Sequence, residues 1–205
     1  MHTYRIIEKG KPLEQAEKAI ILLHGRGADA NDILTLADKF CDDKFYIAAP
    51  QATNNAWYPY SFLSPESINE PWLSSAVGMV NRLIDTISLQ LPAEKIYIMG
   101  FSQGACLALE ATAQNARGYA GVAAFTGGLI GEKIMTDKYS GNFEGTKVFI
   151  GNSDIDPHVP LERSEESKNI MEMLGANVSL SIYPGMPHTI IQDEIETVKK
   201  IMFLH

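Results

Sequence analysis

The chain has 205 residues, 45% of them hydrophobic and 20% charged, and its 17 Lys and Arg against 25 Asp and Glu give a formal charge of −8. A chain of this size buries a continuous core without disulfide or metal staples. The acidic balance, with no basic run interleaved with aromatics, argues against a nucleic-acid partner.

The longest apolar stretch, residues 19–23, falls far short of the roughly 20 residues a membrane span needs, so none is expected. Residues 1–18 mix Lys and Arg with Glu and carry no apolar core ending in a small-residue cleavage site, which does not suit a secretion signal. Cys41 and Cys106 are isolated and fit a reducing compartment; the expected location is cytoplasmic. No linker composition and no internal repeat interrupts the chain, so one domain over residues 1–205 is the expected organisation.

In chain order, the first apolar run is 19–23, followed by helical periodicity over 31–40 and a second run at 45–49. Residues 54–72 form a long connection rich in aromatics and prolines, the kind of structured loop that often binds a ligand. A helix is expected over 72–89, a strand at 95–99, a helix over 103–114 and strands at 121–125 and 147–150. The next helix, 160–174, has Pro160 at its first turn and Gly175 just past its end, where a left-handed residue is wanted. A strand at 178–183 precedes a last helix over 190–203. That helix is opened by the capping-box pattern Thr189-x-x-Gln192, with Ile191, Ile195, Val198 and Met202 on one face. Alternating strands and helices imply an α/β protein: a mostly parallel central sheet with helices on both faces, a three-layer sandwich whose ligands bind at the carboxyl ends of the strands.

At one such strand end the chain reads Ile96-Tyr97-Ile98-Met99-Gly100-Phe101-Ser102-Gln103-Gly104-Ala105-Cys106, a strand running through Gly-x-Ser-x-Gly into a helix. This is a nucleophile elbow in the context it requires: a sharp turn projects the serine, and backbone crowding demands small residues two positions to either side. A serine hydroxyl needs an adjacent base held by a third group. His188, in the loop after strand 178–183, is the better candidate for the base, with His158 the lesser one. The acid lies in Gly151-Asn152-Ser153-Asp154-Ile155-Asp156, where Asp154 and Asp156 compete and order alone does not separate them.

The oxyanion hole needs two backbone N–H groups. Gln103 supplies one and Arg26, in Leu23-His24-Gly25-Arg26-Gly27, is the natural second. Gly25-x-Gly27 lacks the third glycine of a dinucleotide fingerprint, and histidines and cysteines are scattered singly, so neither a cofactor nor a metal is expected. Trp57, Tyr58 and Phe62, with Phe101 and Leu129 opposite, either wall the substrate pocket or simply pack the loop onto the domain. Exposed aromatics there would support a homodimer.

These motifs resemble the phospholipase/carboxylesterase family of α/β-hydrolases, which includes bacterial carboxylesterases and acyl-protein thioesterases. The resemblance spans nearly the whole chain through Leu23-His24-Gly25-x-Gly27, Gly100-Phe101-Ser102-Gln103-Gly104, Asp156-Pro157-x-Val159-Pro160 and Gly185-Met186-x-His188. It implies cofactor-free serine hydrolysis of small-molecule carboxylic esters or thioesters, and it selects Asp156 as the acid, leaving Asp154 a supporting role. Two departures stand out: Arg26, where the thioesterase branch usually has an apolar residue, and Pro187, where a small residue is common. Two readings of the Arg26 side chain stand open: it points to solvent with only the Arg26 N–H used, or its guanidinium favours a substrate bearing a carboxylate or phosphate, which it could grip bidentately. The rival readings are a non-catalytic relative that binds a small molecule and a hydrolase of another bond, such as a lactone or peptide, on the same fold.

Overall fold

The apolar runs lie side by side in one sheet. In the computed structural model, which describes residues 1–204, the strands are β1 (Ile6–Gly10), β2 (Lys18–Leu23), β3 (Phe45–Pro50), β4 (Ile96–Phe101), β5 (Gly121–Phe125), β6 (Lys147–Asn152) and β7 (Asn177–Ile182). Their spatial order is β1-β3-β2-β4-β5-β6-β7. Every pairing is parallel except that of the edge strand β1, which runs antiparallel to β3. Sequence reasoning misses β1 because Ile-Ile-Glu-Lys-Gly is short, largely solvent-facing and shows neither alternation nor a continuous apolar run.

The helices are α1 (Ala30–Leu34), α2 (Glu66–Asn69), α3 (Trp72–Ser88), α4 (Gln103–Gln114), α5 (Leu161–Met173) and α6 (Gln192–Val198). Strand side chains alternate between two faces. Ile21, Leu23, Ile98, Val122, Ala124 and Ile150 point into a core with α3, α4 and Met171 of α5, whereas Ile20, Leu22, Met99, Ala123 and Phe149 meet α1, α6 and Met202. Burying both faces at about 1.5–3 kcal/mol per large aliphatic side chain fixes the register, since a one-residue slip would exchange the two cores. Among the described residues no helix is long and apolar enough to cross a membrane.

Helix ends depart slightly from expectation. The segment predicted as one helix over 31–40 is α1 followed by a 3-10 turn over Thr35–Lys39, with Asp29 capping the start through the N–H groups of Asn31 and Asp32. Pro160 is the cap residue of α5 rather than its first helical residue, and Gly175 takes the left-handed φ of +84° expected of it. Thr189 does not cap the last helix, because its N–H donates to the Pro187 carbonyl and the chain enters the helix three residues later. The Ile191 N–H donates instead to Glu194 Oε2 at 3.0 Å, and after Val198 the helix widens into a π turn over Lys199–Phe203.

Glu194 is fully buried, and its Oε1 has no hydrogen-bond partner among the described residues. Burial pushes its carboxyl up from 4.5 to about 7, against the opposing pull of the Ile191 N–H. Between those two values the folded state binds more protons than the unfolded state, so Glu194 makes stability fall as pH rises through that window. The full difference, about 3 kcal/mol by linkage, is reached above pH ~8. Glu194→Gln keeps an oxygen for the Ile191 N–H and removes the titration. Its advantage over wild type in denaturant melts should be small at pH 5 and grow to its plateau by pH 8; a pH-independent difference would contradict this.

Candidate active site

The turn between β4 and α4 is built by crowding. A β-carbon at position 100 would lie 2.8 Å from the Ala105 nitrogen, and one at position 104 would lie 2.6 Å from the His24 carbonyl oxygen, so only glycine lets α4 start against β2. Ser102 between them has φ 53° and ψ −118°, a conformation that costs a non-glycine residue on the order of 1–3 kcal/mol. The surroundings hold it there: its N–H donates to the Phe125 carbonyl at 3.0 Å, and its own carbonyl accepts the first hydrogen bond of α4, from the Cys106 N–H.

Three side chains from three strand ends form one hydrogen-bonded series. The Ser102 hydroxyl donates to His188 Nε2 at 2.8 Å, and His188 Nδ1 donates to Asp156 Oδ2 at 2.7 Å. Those partners set the tautomer, with Nδ1 protonated and Nε2 the acceptor. Asp156 Oδ1 accepts the N–H groups of His158 and Val159 at 2.8 and 2.9 Å. Burial alone would raise the Asp156 carboxyl, but the hydrogen bonds from His188, His158 and Val159 outweigh it and hold the group below its ordinary value. Asp154 does not touch His188; its Oδ1 accepts the Gly185 N–H at 2.8 Å and so ties the acid loop to the histidine loop. His158 stands beside His188, ring centroids 4.8 Å apart and edge-on, and makes no hydrogen bond to Ser102 among the described residues.

The loop after β2 reaches Ser102 from the other side. A β-carbon at Gly25 would lie 3.5 Å from Ser102 Cβ, which places Arg26 at the mouth of the site. Neither the Arg26 N–H nor the Gln103 N–H donates to a protein acceptor among the described residues. This loop is braced from behind by His24, whose Nδ1 donates to the Gly25 carbonyl at 2.8 Å and whose Nε2 accepts the Ala52 N–H at 3.2 Å. Burial lowers the His24 imidazole, which keeps it in that neutral form.

Above Ser102 lies a cavity of about 440 Å³ lined by Arg26, Tyr58, Tyr60, Phe62, Gln103, Cys106, Val159 and both loop histidines. Tyr58 and Phe62 therefore wall the pocket, but the three other candidate wall residues do not. Trp57 is fully buried behind the loop, its indole N–H donating to the His24 carbonyl at 2.8 Å. Leu129 is fully buried because the chain after β5 passes beneath α4 and α5, where the Leu129 N–H donates to Ser167 Oγ. Phe101 packs on the His188 ring, centroids 5.1 Å apart, outside the cavity. Arg26 is a further correction: Nη1 donates to the Pro59 carbonyl at 2.9 Å, and Nη2 donates to those of Tyr58 and Tyr60 at 2.8 Å each, so no open fork remains for a bidentate grip on a substrate anion. Tyr60 stays exposed at the rim (56%). Sequence reasoning missed Tyr60, Cys106 and Val159 among these lining residues. Cys106 is four residues from Ser102 on the same helix face, a spacing that could have found it.

Comparison with known proteins finds relatives of the chain as a whole. The family model Phospholipase/Carboxylesterase matches residues 2–205. The chain is 29% identical to acyl-protein thioesterase 1 of Saccharomyces cerevisiae over 96% of its own length and 95% of the relative's. It is 27% identical to a probable carboxylesterase of Arabidopsis thaliana over 88% of its length and 76% of the relative's. Among solved structures, a phospholipase/carboxylesterase from Dyadobacter fermentans superposes with a TM-score of 0.97 at 50% identity, covering 99% of this chain and 98% of that one. The Bacillus cereus carboxylesterase, at 22% identity and TM-score 0.77, shares the α/β-hydrolase fold over 98% of this chain and 92% of its own.

Proposed function

Because the chain belongs to the phospholipase/carboxylesterase family, and is therefore a hydrolase, we propose that it cleaves small-molecule carboxylic esters or thioesters through an acyl-enzyme on Ser102. The observation that carries this reading is the unbroken series Ser102–His188–Asp156 at the floor of a cavity. His188 Nε2 takes the hydroxyl proton as Ser102 Oγ attacks the acyl carbon, and Asp156 stabilises the imidazolium that results. The N–H groups of Arg26 and Gln103 bind the oxygen that becomes negative, aided by the positive end of the α4 dipole. Collapse of the tetrahedral intermediate expels the alcohol or thiol, which leaves with the proton from His188. Water, deprotonated by the same imidazole, then attacks the acyl-enzyme and frees the acid and Ser102.

The unpaired thiols of Cys41 and Cys106 agree with the cytoplasmic location expected of the chain; both are pushed up to about 12 chiefly by burial and stay neutral, so neither competes with Ser102 as nucleophile.

The cavity sets a length preference. Each methylene buried against Tyr58, Phe62 and Val159 contributes about 0.8 kcal/mol, roughly fourfold in kcat/KM, and chain beyond the walls contributes nothing. Across 4-nitrophenyl esters and matched thioesters from acetyl to dodecanoyl, kcat/KM should rise over the first few carbons and then level off. Failure of every member to turn over would refute the proposal. A monotonic rise to dodecanoyl would show that the cavity does not bound the acyl chain.

A further inference from the structure

The two proposed oxyanion donors belong to different elements, Arg26 to the loop after β2 and Gln103 to the first turn of α4, and no hydrogen bond joins their main chains. Their side chains meet on a third element. Arg26 Nη2 and Gln103 Nε2 both donate to the carbonyl oxygen of Tyr58, at 2.8 and 2.9 Å, and Gln103 Oε1 accepts the Trp57 N–H at 2.9 Å. Arg26 goes on to collect the carbonyls of Pro59 and Tyr60, so three consecutive carbonyls converge on one guanidinium. Residues 57–60 thus form a bridge that sets the distance between the two N–H groups.

We propose that Arg26 is, through its side chain, a positioning residue for turnover: gripping the bridge keeps the Arg26 N–H aimed at the oxyanion. This inference rests on the proposed reading of Ser102 as the nucleophile, with the Arg26 and Gln103 N–H groups as its oxyanion donors. Among the described residues Arg26 forms no ion pair with a carboxylate. A purely structural role is the alternative, but the bridge is held down elsewhere without Arg26. The Trp57 indole is bonded to His24, Gly27 N–H donates to the Asn55 carbonyl at 2.7 Å, and His2 Nε2 lies 2.8 Å from the Trp57 carbonyl oxygen. Losing the guanidinium therefore takes the shared donor from the Pro59 and Tyr60 carbonyls, while Gln103 still holds the Tyr58 carbonyl, Asn69 the Tyr60 N–H and His24 the Gly25 carbonyl, so the aim of the Arg26 N–H shifts without the loop being released. A lysine cannot replace it fully, because an ammonium lacks the planar fork that meets three carbonyls at once.

The test is steady-state hydrolysis of a 4-nitrophenyl ester by wild type, Arg26→Ala, Arg26→Lys and Ser102→Ala. Losing an oxyanion donor costs about 10²–10³ in kcat, so misaiming one in Arg26→Ala should cost about 10–100-fold with KM within about twofold. Arg26→Lys should fall between. Guanidinium chloride, well below denaturing concentration, should restore much of the Arg26→Ala loss, while equal sodium chloride restores none. Unchanged kcat, a rise confined to KM, or no rescue would overturn the inference. Should Arg26→Ala fail to fold, the kcat-against-KM split of Arg26→Lys decides. Activity surviving in Ser102→Ala would instead overturn the reading on which the inference rests, so the two failures are distinguishable.

Discussion

Asp156→Asn is expected to lower kcat about 10⁴-fold while the protein stays folded. The carboxylate accepts from His188 Nδ1 at 2.7 Å and from two backbone N–H groups. An asparagine can keep the backbone bonds through its oxygen, but it then turns its NH₂ toward Nδ1. That arrangement favours the imidazole tautomer protonated at Nε2, which cannot take a proton from Ser102. Because the Asp156 carboxyl lies below its ordinary value, it stays ionised at every pH where a neutral imidazole can act as base, and the loss should persist across the neutral range. Asp154→Asn is the control. It retains an oxygen for the Gly185 N–H and faces no imidazole, so kcat should change by less than about threefold. Equal losses in the two variants would mean that the acid has been wrongly assigned.

His188→Ala should cost at least as much, about 10⁴–10⁶-fold in kcat, since it removes the only imidazole that touches Ser102 among the described residues. His158→Ala separates proximity from function. The His158 ring lies against His188 and lines the cavity, yet it makes no hydrogen bond to Ser102 or to the Asp156 carboxylate through its side chain. Its removal should change KM by a few-fold and leave kcat largely intact. Initial rates on one chromogenic ester settle both points; a His158→Ala loss as deep as that of His188→Ala would contradict the assignment of the base.

Much of this arrangement could be read from the sequence because local rules dictated it. Gly100 and Gly104 are required by main chain packed against them, and the order Ser102, Asp156, His188 follows from placing polar residues at the ends of parallel strands. Asp156 could be separated from Asp154 only through the family resemblance, and its geometry agrees, because two-residue spacing along a loop does not encode which carboxylate turns toward the imidazole. The pocket walls were partly illegible for a related reason. Trp57 and Tyr58 are adjacent, aromatic and almost fully buried, yet one faces the cavity while the other is drawn beneath the loop by the His24 carbonyl. The donors and acceptors that decide between them, His24 and Gln103, lie 33 and 46 residues away in the chain. Arg26 misled for the same reason: its type suggests an anion, but three carbonyls from residues 58–60 had already claimed its donors.

The central claim is that Ser102, and no other side chain, is the activated nucleophile. Treating the protein with a fluorophosphonate and locating the adduct by mass spectrometry tests this most directly. The account predicts one adduct per chain, on Ser102, absent from Ser102→Ala, formed far more slowly in His188→Ala and accompanied by loss of ester turnover in step with labelling. Labelling at another residue, or full turnover by the Ser102-modified protein, would contradict it.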